Sequence, residues 1–298
     1  MKKTEKILLL VLTFFMTGCQ SIKPVNEKGA PSLVILIIDE NNQAVEDYSI
    51  VLKGVIRSGS FRTNAQGMCS FTGVKKKSYR LNGQKNGYTS LVNIPLELDK
   101  NDNVLCFSVT SEKSVFENAL MLYNQNLFID GLDLLNALYV KPDSWSAVAL
   151  GLYKTVGLLK TNQKEEAQNQ ITQARKILYT VDGKISEENN QFFFEGEFIN
   201  HTELEVSAFT VVFSICDSDG EAVAGRTNNI VHKIEKKVSP FSQCDFSIPL
   251  NEYFIDDQIT QAVTGKQKAL NQEYLYVSQI LYTDESMWLD PFGLEFLK

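Results

Sequence analysis

The stretch Ser32–Val45, "SLVILIIDENNQAV", decides how the first half of the chain is read. Seven residues rich in β-branched and aliphatic side chains run into Asp-Glu-Asn-Asn-Gln, a cluster with no apolar member. That is a strand ending in a tight turn. The same alternation of short apolar runs and turn residues continues outward: "YSIVLKG" from Tyr48, "SGSFRT" from Ser58, "GMCSFTGV" from Gly67 and "VLCFSV" from Val104. Strand signals about ten residues apart are the pattern of a β-sandwich, here over 32–110.

Within that span Asp39 opens a turn in which Asn42 and Ala44 stand where an Asp-x-x-Gly-x-Pro pattern has glycine and proline. Thr63, Asn64, Gly67 and Phe71, with Cys69 between, follow Thr-Asp-x-x-Gly-x-Phe-x-Phe. Tyr79, Leu81, Lys85, Gly87 and Tyr88 follow Tyr-x-Leu-x-x-x-Lys-x-Gly-Tyr. These motifs resemble the carboxypeptidase regulatory-like, transthyretin-like domains. The resemblance implies an Ig-like or transthyretin-like, non-catalytic sandwich module. Asn in place of the turn glycine tolerates positive φ, so the turn is expected to survive.

Toward the N-terminus, Lys2, Lys3 and Lys6 precede an apolar run from Ile7 to Met16. The run is about half the ~20 residues a membrane span needs, and small residues follow it, so 1–18 reads as an export signal. Met16-Thr17-Gly18-Cys19 resembles the bacterial lipobox, with methionine where leucine is usual. That resemblance implies lipidation of Cys19 and a cell-envelope location, and Gln20 is compatible with the outer membrane. Residues 19–31 then form a lipidated tether.

From about Ser111 the period changes to helical, over 111–182. Phe116, Ala119, Leu120, Tyr123 and Leu127 are expected on one face, and Trp145, Val148, Leu152, Val156 and Leu159 on another. Ser114 with Glu117, and Asn162 with Glu165, suggest helix caps. Pro142 divides two helical pairs. Gly131, Pro142, Ala167 and Ala174, with 36 residues from Gly131 to Ala167, resemble tetratricopeptide repeats. The alternative is two ordinary helical hairpins. Two repeats rarely hold a core alone, so this block is expected to dock on a sheet. Leu127, Phe128, Tyr139 and Trp145 are its candidate binding residues for a protein or peptide.

Strands return over 190–298: "FFFEGEFIN", "LEVSAFTVVFSIC", "NIVHKIEKKV", "CDFSIPL" and the hairpin "YLYVSQILYTDESMW". Phe213, Ile215 and Asp217, with Cys216 for tyrosine, resemble the FxLYD motif of exported bacterial β-sandwiches. "SPFSQCDFSI" resembles that family's Pro-Gly-x-x-x-x-Phe stretch without its glycine. Residues 257–271 suggest a short helix. The fold class is therefore multidomain β plus α, two β-sandwiches flanking a small helical block.

The chain of 298 residues carries −7, and residues 1–18 carry +2, which leaves −9 on the remainder. An acidic chain without a basic run excludes nucleic acid as a partner and leaves the N-terminal lipid as the membrane contact. Cys69, Cys106, Cys216 and Cys244 form no C-x-x-C pair. Strand phase turns Cys69 inward and Cys106 outward, so these two are not expected to bond. His201 and His232 read as solvated, "DSDGE" at Asp217 as a hairpin turn rather than a calcium loop, and Lys75–Lys77 as a solvated loop. No catalytic, cofactor or metal motif stands out, and no cofactor is expected. The expected role is envelope binding or scaffolding without catalysis. The alternative is a glycan hydrolase whose acidic residues carry no motif.

Overall fold

The computed structural model describes residues 32–53, 61–72, 74, 78–98, 102–189, 191–223, 229–254 and 269–293. The export signal, the tether, Lys75–Lys77 and residues 257–268 of the expected short helix lie outside these; Leu270 and Asn271 belong to a strand. The described chain is mostly β, with five sheets and four helices, and divides into two compact units.

The first unit is a β-sandwich. One sheet has the order β4-β1-β8, built from β1 (Ser32–Ile38), β4 (Met68–Thr72) and β8 (Asp102–Ser108). The other has the order β3-β2-β5-β7, from β2 (Ser49–Lys53), β3 (Phe61–Arg62), β5 (Ser78–Gln84) and β7 (Leu91–Glu97). Leu33, Ile35 and Ile37 point inward from β1, and Ile50, Leu52, Tyr79 and Leu81 from the second sheet. The period of two puts alternate residues in the core. Tyr48 is fully buried; its hydroxyl donates to Gly83 O (3.1 Å), and burial pushes it up to about 12. A side chain at Gly83 would meet that ring at 2.6 Å. β7 was not among the expected strands; it contains Pro95, which is tolerated because β7 is an edge strand.

Both units use one turn design. Asp39 Oδ1 accepts Asn41 N and Gln43 N (2.8 Å each), and Asn42 N donates to Asp39 O. Asn64 Oδ1 accepts Gln66 N and Met68 N, and Gly67 N donates to Asn64 O. Asp217 Oδ1 accepts Asp219 N and Glu221 N, and Gly220 N donates to Asp217 O. In each, the fourth residue has positive φ: Asn42 59°, Gly67 70°, Gly220 84°. This is the three-residue hairpin with a left-handed closing residue. Asn42 keeps the turn without glycine, as expected.

The second unit joins helices and strands. Residues 86–89 belong to it: β6 (Tyr88–Thr89) pairs with β9 (Leu138–Tyr139), and Glu112 N donates to Gly87 O (2.7 Å). Four helices form two hairpins, α1 (Glu112–Asn124) with α2 (Phe128–Ala137) and α3 (Trp145–Lys160) with α4 (Lys164–Leu178). Two sheets face each other behind them. One has the order β10-β11-β14, from β10 (Tyr179–Glu188), β11 (Gln191–Asn200) and β14 (Gln243–Pro249). The other has the order β13-β12-β15-β16, from β12 (Val206–Asp217), β13 (Ile230–Ile234), β15 (Leu270–Tyr282) and β16 (Met287–Leu289). Phe194 stacks on Phe213 (4.3 Å) and Phe198 on Phe209 (4.1 Å) between them. Val148, Ala174 and Leu178 of the helices share this core, so the helical layer does dock on the sandwich.

The helices differ from the sequence reading in rotation and in caps. α1 buries Val115, Ala119 and Tyr123 and leaves Leu120 48% exposed. α3 buries Val148, Leu150, Gly151, Thr155 and Leu158 and exposes Trp145 and Val156. Of the expected faces, Ala119, Tyr123 and Val148 are buried and Phe116, Leu152 and Leu159 pack partly against the cores, while Leu120, Leu127, Trp145 and Val156 are turned outward. α1 starts at Glu112, which puts Ser114 inside its first turn, and Asn162 takes φ +62° between α3 and α4. The side-chain cap of α3 is Ser144, whose Oγ accepts from Ala147 N (3.2 Å).

Candidate functional site

The helical layer is organised on Tyr123. Its hydroxyl donates to Tyr153 O (3.2 Å), and its ring lies 5.6 Å from that of Phe128. Gly131 gives it room: a Cβ there would stand 2.5 Å from the ring. Burial pushes this tyrosine up to about 12. Phe116 stacks on Tyr153 (4.8 Å) alongside. With this face packed, the end of α1, the link and the start of α2 turn apolar side chains outward. Met121 is 51% exposed, Leu127 43% and Ile129 67%, beside Leu120. Asp130 and Asp133 are exposed on the same hairpin.

The four sequence candidates fall in three neighbourhoods. Leu127 and Phe128 start α2, the first exposed and the second half-buried against Tyr123. Tyr139 is half-buried in β9, paired with Tyr88. Trp145 opens α3, 48% exposed, with its ring edge-on to Tyr282 at 6.1 Å. Tyr282 is buried, as are Trp288 and Tyr179, whose rings lie 5.7 Å apart. Burial pushes the Tyr282 hydroxyl up to about 12, with Thr202 pulling the other way. Among the described residues, Trp288 Nε1 is buried without a hydrogen-bond partner. Leu120, Met121 and Ile129 were not singled out as binding residues, because helical periodicity alone does not say which apolar face is buried.

The groups considered for chemistry are engaged structurally. His201 shares a hydrogen bond with Thr180 Oγ1 and His232 with Tyr253 Oη, 2.8 Å each, and both residues are half-buried. The exposed carboxylates Glu235 and Asp284 sit below their ordinary range, held there by Lys233 and by Ser286 respectively. No group of three or more His, Cys, Asp or Glu suited to a metal occurs among the described residues. Cys69, Cys216 and Cys244 are buried and free, and Cys106 is exposed and free.

No protein-family model and no curated protein matches the sequence. Solved structures with some likeness include the TIE protein of Bacillus anthracis: 10% identity, TM-score 0.25, over 74% of this chain and 31% of that one, so this chain spans under a third of its length. A DUF3823 family protein from Bacteroides ovatus aligns with 10% identity and TM-score 0.24, over 87% of this chain and 94% of that one. BcpA, the major pilin subunit of Bacillus cereus, gives 8% identity and TM-score 0.23, over 88% and 67%.

Proposed function

We propose that this chain is a lipid-anchored protein of the bacterial cell envelope that binds a protein or peptide partner and does no chemistry of its own. Cys19 carries the anchor in this reading. The sandwich at 32–110 serves as a carboxypeptidase regulatory-like spacer, the helical block as a tetratricopeptide-like binding layer, and the C-terminal sandwich as an FxLYD-like support. The observation that carries the reading is the exposed set Leu120, Met121, Leu127 and Ile129, gathered within ten residues at one helical hairpin. Apolar side chains clustered on an otherwise polar surface mark interaction sites. The test is crosslinked co-purification of the lipidated protein from its own membranes, beside a Leu127→Ser, Ile129→Ser variant. Recovery of the partner is expected to fall at least fivefold while the melting temperature stays within about 2 °C, since both residues are exposed. Unchanged recovery removes the helical hairpin from the reading. Equal labelling of Cys19→Ala and parent by a fatty-acid analogue removes the anchor.

A further inference from the structure

Phe241 stands out from the rest of the second unit. It lies in the turn Ser239-Pro240-Phe241-Ser242, closed by Ser242 N donating to Ser239 O (3.3 Å), and its φ is +52°. Proline at the second turn position and positive φ at the third make a type II turn, whose third position favours glycine or asparagine. The other non-glycine residues with positive φ in the described chain are Asn, Asp or Glu; Phe241 is the one bulky apolar member. The left-handed region costs an L-residue roughly 1–2 kcal/mol. Packing does not offset this, because the side chain is 67% exposed. Folding alone would place glycine here. Strain held in place by its surroundings points to function.

The surroundings do hold it. Asn200 is buried, and its Nδ2 donates to Leu204 O (2.8 Å) and Ser239 O (3.2 Å) while its backbone N donates to Ser242 O (2.9 Å). Val206 and Val238 exchange both backbone hydrogen bonds, and Thr283 N donates to Glu205 O (2.9 Å). Three loops at this end of the sandwich, 201–205, 235–242 and 283–286, are thereby stitched into one platform from which the Phe241 ring projects. The charge around it selects a partner. Glu235 is taken up by Lys233 (2.7 Å), and Lys236 Nζ rests on Asp245 O. What remains is Glu203, Glu205, Asp284 and Glu285 against Lys236 and Lys237. A net negative rim opposes an anionic lipid surface and suits a protein pocket with basic edges.

We infer that Phe241 is a preorganised anchor that inserts into an apolar, basic-rimmed pocket of another protein. This surface is separate from the helical hairpin, and its test fails or succeeds independently of that reading. A photo-reactive phenylalanine analogue is placed at position 241 of the full chain in the cells that make it, and in parallel at Val231, which is 59% exposed on β13. The expected result is one adduct, specific to position 241, which mass spectrometry maps to apolar residues flanked by Lys or Arg. Its yield should drop at least threefold in a Glu203→Lys, Glu285→Lys background. Phe241→Gly should leave the melting temperature unchanged or raise it by up to about 3 °C, because strain is released. A fall of several degrees would make Phe241 structural and overturn the proposal. So would equal adducts at 241 and 231, an adduct to lipid or to a second copy, or an acidic mapped surface. In a last arm, the Cys19→Ser protein is sedimented with phosphatidylglycerol–phosphatidylcholine vesicles. No binding is expected, and binding that Phe241→Gly abolishes would assign the anchor to a membrane instead.

Discussion

At the scale of single residues, Asn200 shows how much one polar side chain can decide. It is the last residue of β11, at the end of the run "FFFEGEFIN", and is 1% exposed. Its Oδ1 accepts from Thr202 N (3.0 Å) and Thr202 Oγ1 (2.8 Å), while Nδ2 serves Leu204 and Ser239 carbonyls. Truncation strands several buried polar groups, each costing about 1–3 kcal/mol when left unpaired. Asn200→Ala is therefore expected to lose about 3 kcal/mol in urea unfolding; a loss below about 1 kcal/mol would show that the loops satisfy themselves. Cys106 is the complementary case, a thiol turned outward on β8 while Cys69 turns inward on β4. Burial of its surroundings nevertheless raises its pKa. A raised value means less thiolate at neutral pH, so maleimide should label Cys106 before Cys69, Cys216 or Cys244, yet more slowly than a free thiol at pH 7. The rate should climb about tenfold per pH unit toward pH 9. A flat profile would exclude the raised value.

At the scale of elements, the two Asx turns that close on glycine predict how those glycines differ. A side chain at Gly220 meets nothing within 4 Å, so Gly220→Ala costs only the left-handed backbone, about 1 kcal/mol. At Gly67 the added carbon would stand 2.5 Å from Ile37 O, and φ is also positive. Gly67→Ala should cost at least about 1 kcal/mol more than Gly220→Ala, read as urea midpoints of the unit that carries each. Equal costs would mean that β1 yields freely. These turns and the strands beside them were legible in the sequence because their signals are local: polar clusters at fixed offsets and apolar runs of strand length. β10 was not. "TVDGKISEE" follows helix α4 without a break, and only its pairing with β11 across ten positions makes it a strand. The helix faces were displaced for a related reason. Gly131 and Gly157 admit Tyr123, and that contact sets the rotation, which turns Val115 inward and Leu120 outward. The candidate site suffers the same limit, since Trp145 was found by size, whereas the exposure of Ile129 depends on what packs on its neighbours.

At the scale of the second unit as a whole, one pair joins parts of the chain that local patterns cannot connect. Arg175 on α4 and Asp290 after β16 meet with Nε to Oδ2 at 2.6 Å, their side chains 10% and 0% exposed. The guanidinium lies 4.9 Å over the Tyr276 ring, and Asp290 Oδ1 also accepts Phe292 N (3.0 Å) and Gly293 N (3.1 Å). Phe292 in turn packs on Leu132, Leu158, Ala167 and Ile171, so the pair ties helices, sheet and C-terminal segment together. Removing one partner of a buried pair leaves an uncompensated charge and costs about 3–5 kcal/mol, while replacing both is often neutral. Asp290→Asn keeps the acceptor for the two backbone N–H groups but strands the guanidinium; about 3 kcal/mol should be lost. Arg175→Met added to it removes the stranded charge, and at least half of the loss should return. The readout is direct, because both tryptophans of the chain, Trp145 and Trp288, lie in this unit and their fluorescence follows its unfolding alone. If the double variant is no more stable than Asp290→Asn, the pair acts through its shape and its contact with Tyr276, and charge is not what holds the helical layer to the sandwich.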